Sequence, residues 1–244
     1  MKPVSLKKIY DLRNAQQFFH DCYLVSSVNA LTRCENGRKL LQQNIAGCNG
    51  SFKIKFNDIN GTAADFFISK SDLKNLIFRD QYGDIVTIDG ALPIHNRIIK
   101  AIECAMNAII KKHPDKKPFI SRFKDCNELF EFNKPSNFMS MFTGEKPIKL
   151  NEDGIRLSLR TKKEKAFELF ERMDKENDFS FVAGTSFDEN VGLTEFHCYT
   201  IEGVNFNNKY LQLYNNKAQE SRSIDFETAI KGLKFITGYF NNML

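Results

Sequence analysis

Apolar residues recur at helical spacing in two early stretches of the chain. Over residues 23–34, Leu24, Val28 and Leu31 fall on one face, and Ser26, Ser27 and Ala30 leave room for close packing. Over residues 94–112, Ile94, Ile98, Ile102, Ala105 and Ile109 form a stripe that Ile99, Met106 and Ile110 widen, which predicts a well-buried helix. Pro93 before it and Pro114 after it fit both ends. A third helix is predicted over residues 162–175, opened by a capping-box pattern, Thr161-x-x-Glu164.

Period-two patterns lie between and after these helices. Phe52-Lys53-Ile54-Lys55-Phe56 alternates strictly, residues 57–61 read as a turn, and residues 63–69 read as the return strand. Residues 84–89 form another short apolar run. Strands are predicted over 179–183, 196–204, 210–214 and 233–240. A helix-weighted half followed by a sheet-weighted half argues for an α+β fold rather than a doubly wound α/β one. The boundary is expected near residues 143–147, giving regions 1–145 and 146–244.

Composition narrows the function classes. The chain has 244 residues, enough for a real core, with 42% hydrophobic and 27% charged residues, which argues against disorder. The net charge of +5 is spread along the chain. Its densest basic cluster, Lys111, Lys112, Lys116 and Lys117, is broken by Pro114 and Asp115 and reads as a solvated loop, so nucleic acid is not an expected partner. No run approaches the roughly 18 apolar residues of a membrane helix. The first fifteen residues carry charges and no apolar core, so a cleaved secretory signal is not expected. The six cysteines, Cys22, Cys34, Cys48, Cys104, Cys126 and Cys198, show no CxxC pair and are expected to be reduced thiols.

The candidate chemistry centres on Cys22. The four histidines make no HxxxH or HExxH motif and suggest no metal site; no phosphate-cradling glycine loop and no GxSxG elbow is present. Cys22 stands where a loop gives way to a helix. A thiol there feels the positive end of the helix dipole, which favours thiolate and makes a nucleophile. The alternative is a small buried hydrophobe, the usual fate of a cysteine.

The last hairpin brings a histidine beside a carboxamide. If Val204 pairs with Lys209 across the turn 205–208, His197 faces Asn216, with Asn215 one step away. Facing residues on such a pair have Cβ atoms about 5 Å apart. An asparagine oxygen accepting from one ring nitrogen would fix the tautomer and leave the other nitrogen to serve a thiol.

The order Cys22, His197, Asn215 resembles that of the papain-like thiol proteases, and within them the calpain-type catalytic core. Gln16-x-x-x-x-Asp21-Cys22-Tyr23-Leu24 is similar to the family's nucleophile motif. Leu92-Pro93 with Ile99-Lys100-Ala101, and Phe142-Thr143-Gly144, resemble elements that lead to the junction between its lobes. Gly192-Leu193-Thr194-Glu195-Phe196-His197-Cys198-Tyr199-Thr200-Ile201 resembles the histidine motif, and Tyr210-Leu211-Gln212-Leu213-Tyr214-Asn215 the strand that ends in the family's asparagine. The chain departs from the pattern in having His20 and Tyr23 around the Asp-Cys pair, where the family has Gly and Trp. It also has Asn215-Asn216-Lys217-Ala218 in place of Asn-Pro-Trp-Gly, and no tryptophan at all.

The resemblance implies a papain-like fold of two lobes, with Cys22 as nucleophile, His197 as base and acid, and Asn215 orienting it. Gln16 and the Cys22 backbone N–H would form the oxyanion hole. His20, two residues from Cys22, is the rival base. The implied activity is that of a cysteine protease on a protein substrate, with no cofactor and no metal. Deamidation or transglutamination of a protein glutamine is the alternative chemistry, and an inert binding module with this fold is the alternative class. A location in the cytoplasm is the default expectation, and the stripped core also fits a bacterial effector delivered into a host cell without a cleaved signal.

Overall fold

The computed structural model describes residues 1–15, 22–57, 61–75, 78–79, 85–86, 94–112, 135–150, 159–185, 192–195 and 197–244. The chain opens with β1 (Lys2–Pro3), α1 (Leu6–Tyr10) and a 3-10 turn (Asp11–Asn14). The helices α2 (Cys22–Leu31) and α3 (Glu35–Asn44) follow, then the strands β2 (Ile45–Cys48), β3 (Ser51–Asn57) and β4 (Ala63–Ile68). These four strands make one antiparallel sheet in the order β1-β2-β3-β4. The alternation read in the sequence is realised: Phe52, Ile54 and Phe56 point into the core, and Lys53 and Lys55 point out. Next come α4 (Lys70–Asn75), the short pair β5 (Phe78–Arg79) and β6 (Ile85–Val86), and the helix α5 (Ile94–Lys112). The predicted bounds of α5 match, and Ile98, Ile102, Ala105 and Ile109 are buried on its stripe.

The helix α6 (Pro135–Thr143) packs Phe138 and Phe142 edge-on against Phe56, with ring centroids 5.9 Å and 5.1 Å away. It stops at Gly144, whose φ of +83° is the left-handed turn that releases a helix end; its N–H donates to Ser140 O at 2.8 Å. The phenol of Tyr239 reaches this junction, bonding Thr143 Oγ1 at 2.9 Å and donating to Glu145 O at 2.8 Å.

The second sheet is built from β7 (Ile148–Leu150), β8 (Phe179–Thr185), β9 (Cys198–Asn205), β10 (Tyr210–Asn215), β11 (Glu220–Asp225) and β12 (Leu233–Phe240). Its order is β11-β10-β9-β8-β12-β7, antiparallel throughout. The helices α7 (Leu159–Glu176) and α8 (Phe226–Gly232) join its strands. Every residue of β8 is buried, and period two explains how. Phe181 and Ala183 enter a cluster with Phe170 of α7 and Phe226 of α8, whereas Val182 enters the cluster that contains α2. In β9, Cys198 joins α2, and Tyr199 and Ile201 join the other side. The sheet is therefore covered on both faces, and α2 is one of the covers.

The fold is α+β, with helices and antiparallel sheets in separate runs of the chain. The helix-to-sheet weighting is less lopsided than the sequence suggests. Residues 1–145 contain a four-stranded sheet, and the eighteen-residue helix α7 lies beyond them. Thr161 falls inside α7, two residues after its start, so the capping-box pattern does not mark its first residue. Among the described residues, no helix is long and apolar enough to cross a membrane.

Candidate active site

Cys22 is the first residue of α2, and all ten residues of that helix are buried. The apolar stripe predicted from Leu24, Val28 and Leu31 is one part of a helix enclosed on every side. Its polar residues are satisfied by neighbours. Ser26 Oγ donates to the carbonyl of Cys198 at 2.8 Å, and Thr200 Oγ1 donates to Ser26 O at 3.0 Å. Asn29 donates to Arg13 O. These bonds fix the start of α2 laterally against β9, and so fix Cys22 against the residues around position 197.

His197 lies just before β9 and is held by its own backbone. Its N–H donates to Thr185 Oγ1 at 3.0 Å, and its carbonyl accepts from Thr185 N at 2.9 Å. Its ring meets Tyr199 edge-on, with centroids 4.9 Å apart. His197 Nε2 lies 2.9 Å from Asn215 Oδ1. Cys22, His197 and Asn215 are 8%, 5% and 8% exposed, so the group is almost wholly withdrawn from solvent.

The hairpin that brings His197 and Asn215 together has a different register from the one expected. Leu211, not Lys209, pairs with Val204, and the turn is 206–209. Local chemistry sets this turn: Asn205 Oδ1 accepts from Asn208 N at 2.8 Å, and Lys209 takes a left-handed φ of 54°. A bulge between Gln212 and Leu213 then shifts the register by one. Continuing past Tyr214↔Thr200, Asn215 stands beside Tyr199, two residues beyond His197, and the side chains close the diagonal. Of the two asparagines left open by the sequence, Asn215 takes the imidazole. Asn216 turns to Ser26 Oγ at 3.3 Å and donates to Ala15 O at 3.2 Å.

The orientation of the Asn215 carboxamide is fixed by backbone donors. Its Oδ1 also accepts from Lys217 N at 2.9 Å and Ala218 N at 3.2 Å. An atom that accepts from two backbone N–H groups is the oxygen, so His197 Nε2 must be a donor towards it. In the neutral ring, the proton then sits on Nε2 and the lone pair on Nδ1.

The Cys22 thiol is held well below its ordinary range. The strongest cause is a hydrogen bond from the Cys198 side chain. Burial opposes it, and a hydrogen bond from His197, the charge of His197 and the Cys198 backbone add to it. The position at the start of a helix works in the same direction. Cys34 is the contrast: it caps α3 by accepting from Gly37 N at 3.3 Å, and burial pushes its thiol up to about 11.

Cys198, Ser26 and Tyr199 were not singled out as chemical residues by the sequence, which offered only the adjacency of Cys198 to His197. Gln16 and His20 lie outside the described residues, as do Asp21, Leu92, Pro93, Pro114, Lys116, Lys117 and Cys126. Among the described residues, no group of three or more His, Cys, Asp or Glu side chains is placed to hold a metal ion. No family model matches the chain, and no curated protein matches it significantly.

Proposed function

We propose that this chain is a cysteine protease with a papain-like, calpain-type core, which cleaves amide bonds of a protein substrate through Cys22, His197 and Asn215. The observation that carries the reading is the hydrogen bond between His197 Nε2 and Asn215 Oδ1, beside the buried Cys22. The Asn215 oxygen, pinned by two backbone donors, commits Nε2 and leaves Nδ1 for the thiol of Cys22.

The reaction follows from that arrangement. The Cys22 thiolate attacks the substrate carbonyl, and the proton held on His197 passes to the leaving amine as the carbon–nitrogen bond breaks. A thioester remains on Cys22. His197 then takes a proton from water, whose oxygen displaces the sulfur and releases the acid. The Cys22 backbone N–H and, by resemblance, Gln16 donate to the oxygen that becomes negative; losing one such donor lowers rate by about 10²–10³-fold. In a chain delivered into a host cell, as an effector would be, this chemistry needs no cofactor.

A test begins with the thiols. In the reduced chain, limiting iodoacetamide is expected to label Cys22 far faster than the other five cysteines; equal labelling of all six overturns the proposal. A proteome-derived peptide mixture is then incubated with the wild-type chain and with Cys22→Ala. New N-termini found only with the wild type support hydrolysis. Glutamine side chains converted to glutamate, or cross-linked, with no new N-termini, would replace protease by deamidase or transglutaminase.

A further inference from the structure

Cys198 takes no part in the bond changes of the proposed reaction, yet it shares a buried cluster with the nucleophile. Cys22 and Cys198 are buried in one cluster, at 8% and 7% exposure. Neither is in a disulfide. The contact between them is built in by the fold. Ser26 lies one turn after Cys22 and bonds the carbonyl of Cys198 at 2.8 Å, and Thr200, two residues on, bonds back to Ser26 O at 3.0 Å. This cross-brace holds the start of α2 over the start of β9, where the Cys198 side chain turns into the same buried cluster as Cys22.

The other described cysteines are engaged elsewhere. Cys34 caps α3 from the far end of α2, Cys48 is exposed on β2, and Cys104 on α5 lies against Asp72 O at 4.0 Å. Cys22 and Ser26, four residues apart, share one face of α2, and Ser26 bonds the backbone of Cys198, so both thiols belong to the interface between α2 and β9. A thiolate with a thiol poised beside it is the arrangement of a peroxide-sensitive cysteine and its resolving partner.

We propose that Cys22 and Cys198 are a reversible oxidation pair, in which a hydroperoxide oxidises Cys22 and Cys198 resolves it as a disulfide. In the first step the Cys22 thiolate attacks the peroxide oxygen; the O–O bond breaks, sulfenic acid forms, and hydroxide leaves and takes up a proton as water. In the second step the Cys198 sulfur attacks the Cys22 sulfur. The S–O bond breaks, the S–S bond forms, and the thiol proton leaves with the hydroxyl as water. Two thiols and one peroxide thus give one disulfide and two waters. A dithiol reductant restores both thiols. The disulfide silences the nucleophile and keeps it from the irreversible sulfinic and sulfonic acids.

This inference rests on Cys22 being the ionised thiol of the proposed function, and the test separates the two. The reduced chain is treated with a several-fold excess of hydrogen peroxide, alkylated with iodoacetamide and mapped by peptide mass spectrometry. The expected result is a peptide pair joined through Cys22 and Cys198, with loss of Cys22 alkylation that dithiothreitol restores in full. In Cys198→Ala and Cys198→Ser, the same treatment carries Cys22 on to sulfinic acid, and dithiothreitol restores nothing. Sulfinic acid at Cys22 in the wild type to the same extent as in the variants, or a bond from Cys22 to a different cysteine, overturns the pair. The wild-type result stands without the variants if either fails to fold. An arm without peroxide reads the proposed function alone: Cys22 that alkylates no faster than Cys48 defeats the nucleophile itself.

Discussion

Asn215 Oδ1 receives three donors at once: His197 Nε2 at 2.9 Å, Lys217 N at 2.9 Å and Ala218 N at 3.2 Å. The turn after β10 thus dictates the tautomer of a histidine eighteen positions earlier. In the proposed reaction, the lone pair on Nδ1 is placed by this carboxamide.

Asn215→Ala removes that constraint and keeps the imidazole. Its rate is expected to fall, with KM near the wild-type value, and by less than in His197→Ala, where loss of the proton-transfer group lowers rate by about 10²–10⁴-fold. His20→Ala is expected to retain activity. Loss of activity in His20→Ala with survival in His197→Ala would reverse the assignment of the base. Steady-state kinetics on the peptide substrate found above reads all three.

The pH dependence of Cys22 has a definite sign. Its folded pKa is lowered by the Cys198 and His197 contacts, against an unfolded value of about 8.5. Thiolate in the folded chain therefore persists below pH 8, and alkylation of Cys22 is expected to stay fast there and to fade only as pH drops through the lowered pKa. The same shift contributes stability that is fully present above the unfolded pKa and is lost as pH falls through the folded one. Cys34, pushed up to about 11, is expected to stay unlabelled across that range. A rate of alkylation at Cys22 that rises only above pH 8 would contradict this.

Ser26→Ala deletes the side-chain half of the brace between α2 and β9, leaving the Thr200 bond to the residue 26 carbonyl. It leaves the Cys198 carbonyl and Asn216 short of a buried donor, which costs about 1–3 kcal/mol. Chemical denaturation is expected to show that loss, and the Cys22 alkylation rate should fall with it because the nucleophile is no longer registered against His197. A destabilised variant with unchanged alkylation would mean that the brace serves stability only.

Glu202→Gln probes a second tie between the same elements. Arg33, just after α2, pairs with Glu202 of β9, which also accepts from Ser221. The two side chains are 24% and 13% exposed, and burial lowers the Arg33 pKa, so the guanidinium depends on its partner. Removing the charge is expected to cost about 1–3 kcal/mol, between surface and buried ion-pair values. A melt unchanged from wild type would show that the pair is neutral.

Periodicity carried most of the fold. The bounds of α5 and the alternation in β3 follow from it, because each buries one defined stripe; β12 keeps its expected bounds although it is buried on both faces. It failed where a side chain acts locally. The helix α3 begins at a cysteine cap, which resembles no Ser, Thr, Asp or Asn signal, and it went unread. The hairpin register was displaced because the four-residue turn sits one position later, with Asn205 closing it and Lys209 left-handed, and a bulge follows. His197 and Asn215 were legible as neighbours from topology; the choice of Asn215 over Asn216 depends on that bulge and on the backbone donors at 217 and 218, which no pattern displays. In a chain without tryptophan, the ring that lies edge-on against the imidazole is that of Tyr199.

A helix with no exposed residue has no existence before its surroundings. Ser26 and its partner on β9 are separated by 172 positions, and the groups that ionise Cys22 come from that same distant stretch. An unfolded chain therefore carries an ordinary thiol. The groups that lower the Cys22 pKa meet it only when β9 packs against α2, so the ionised sulfur is a property of the folded chain.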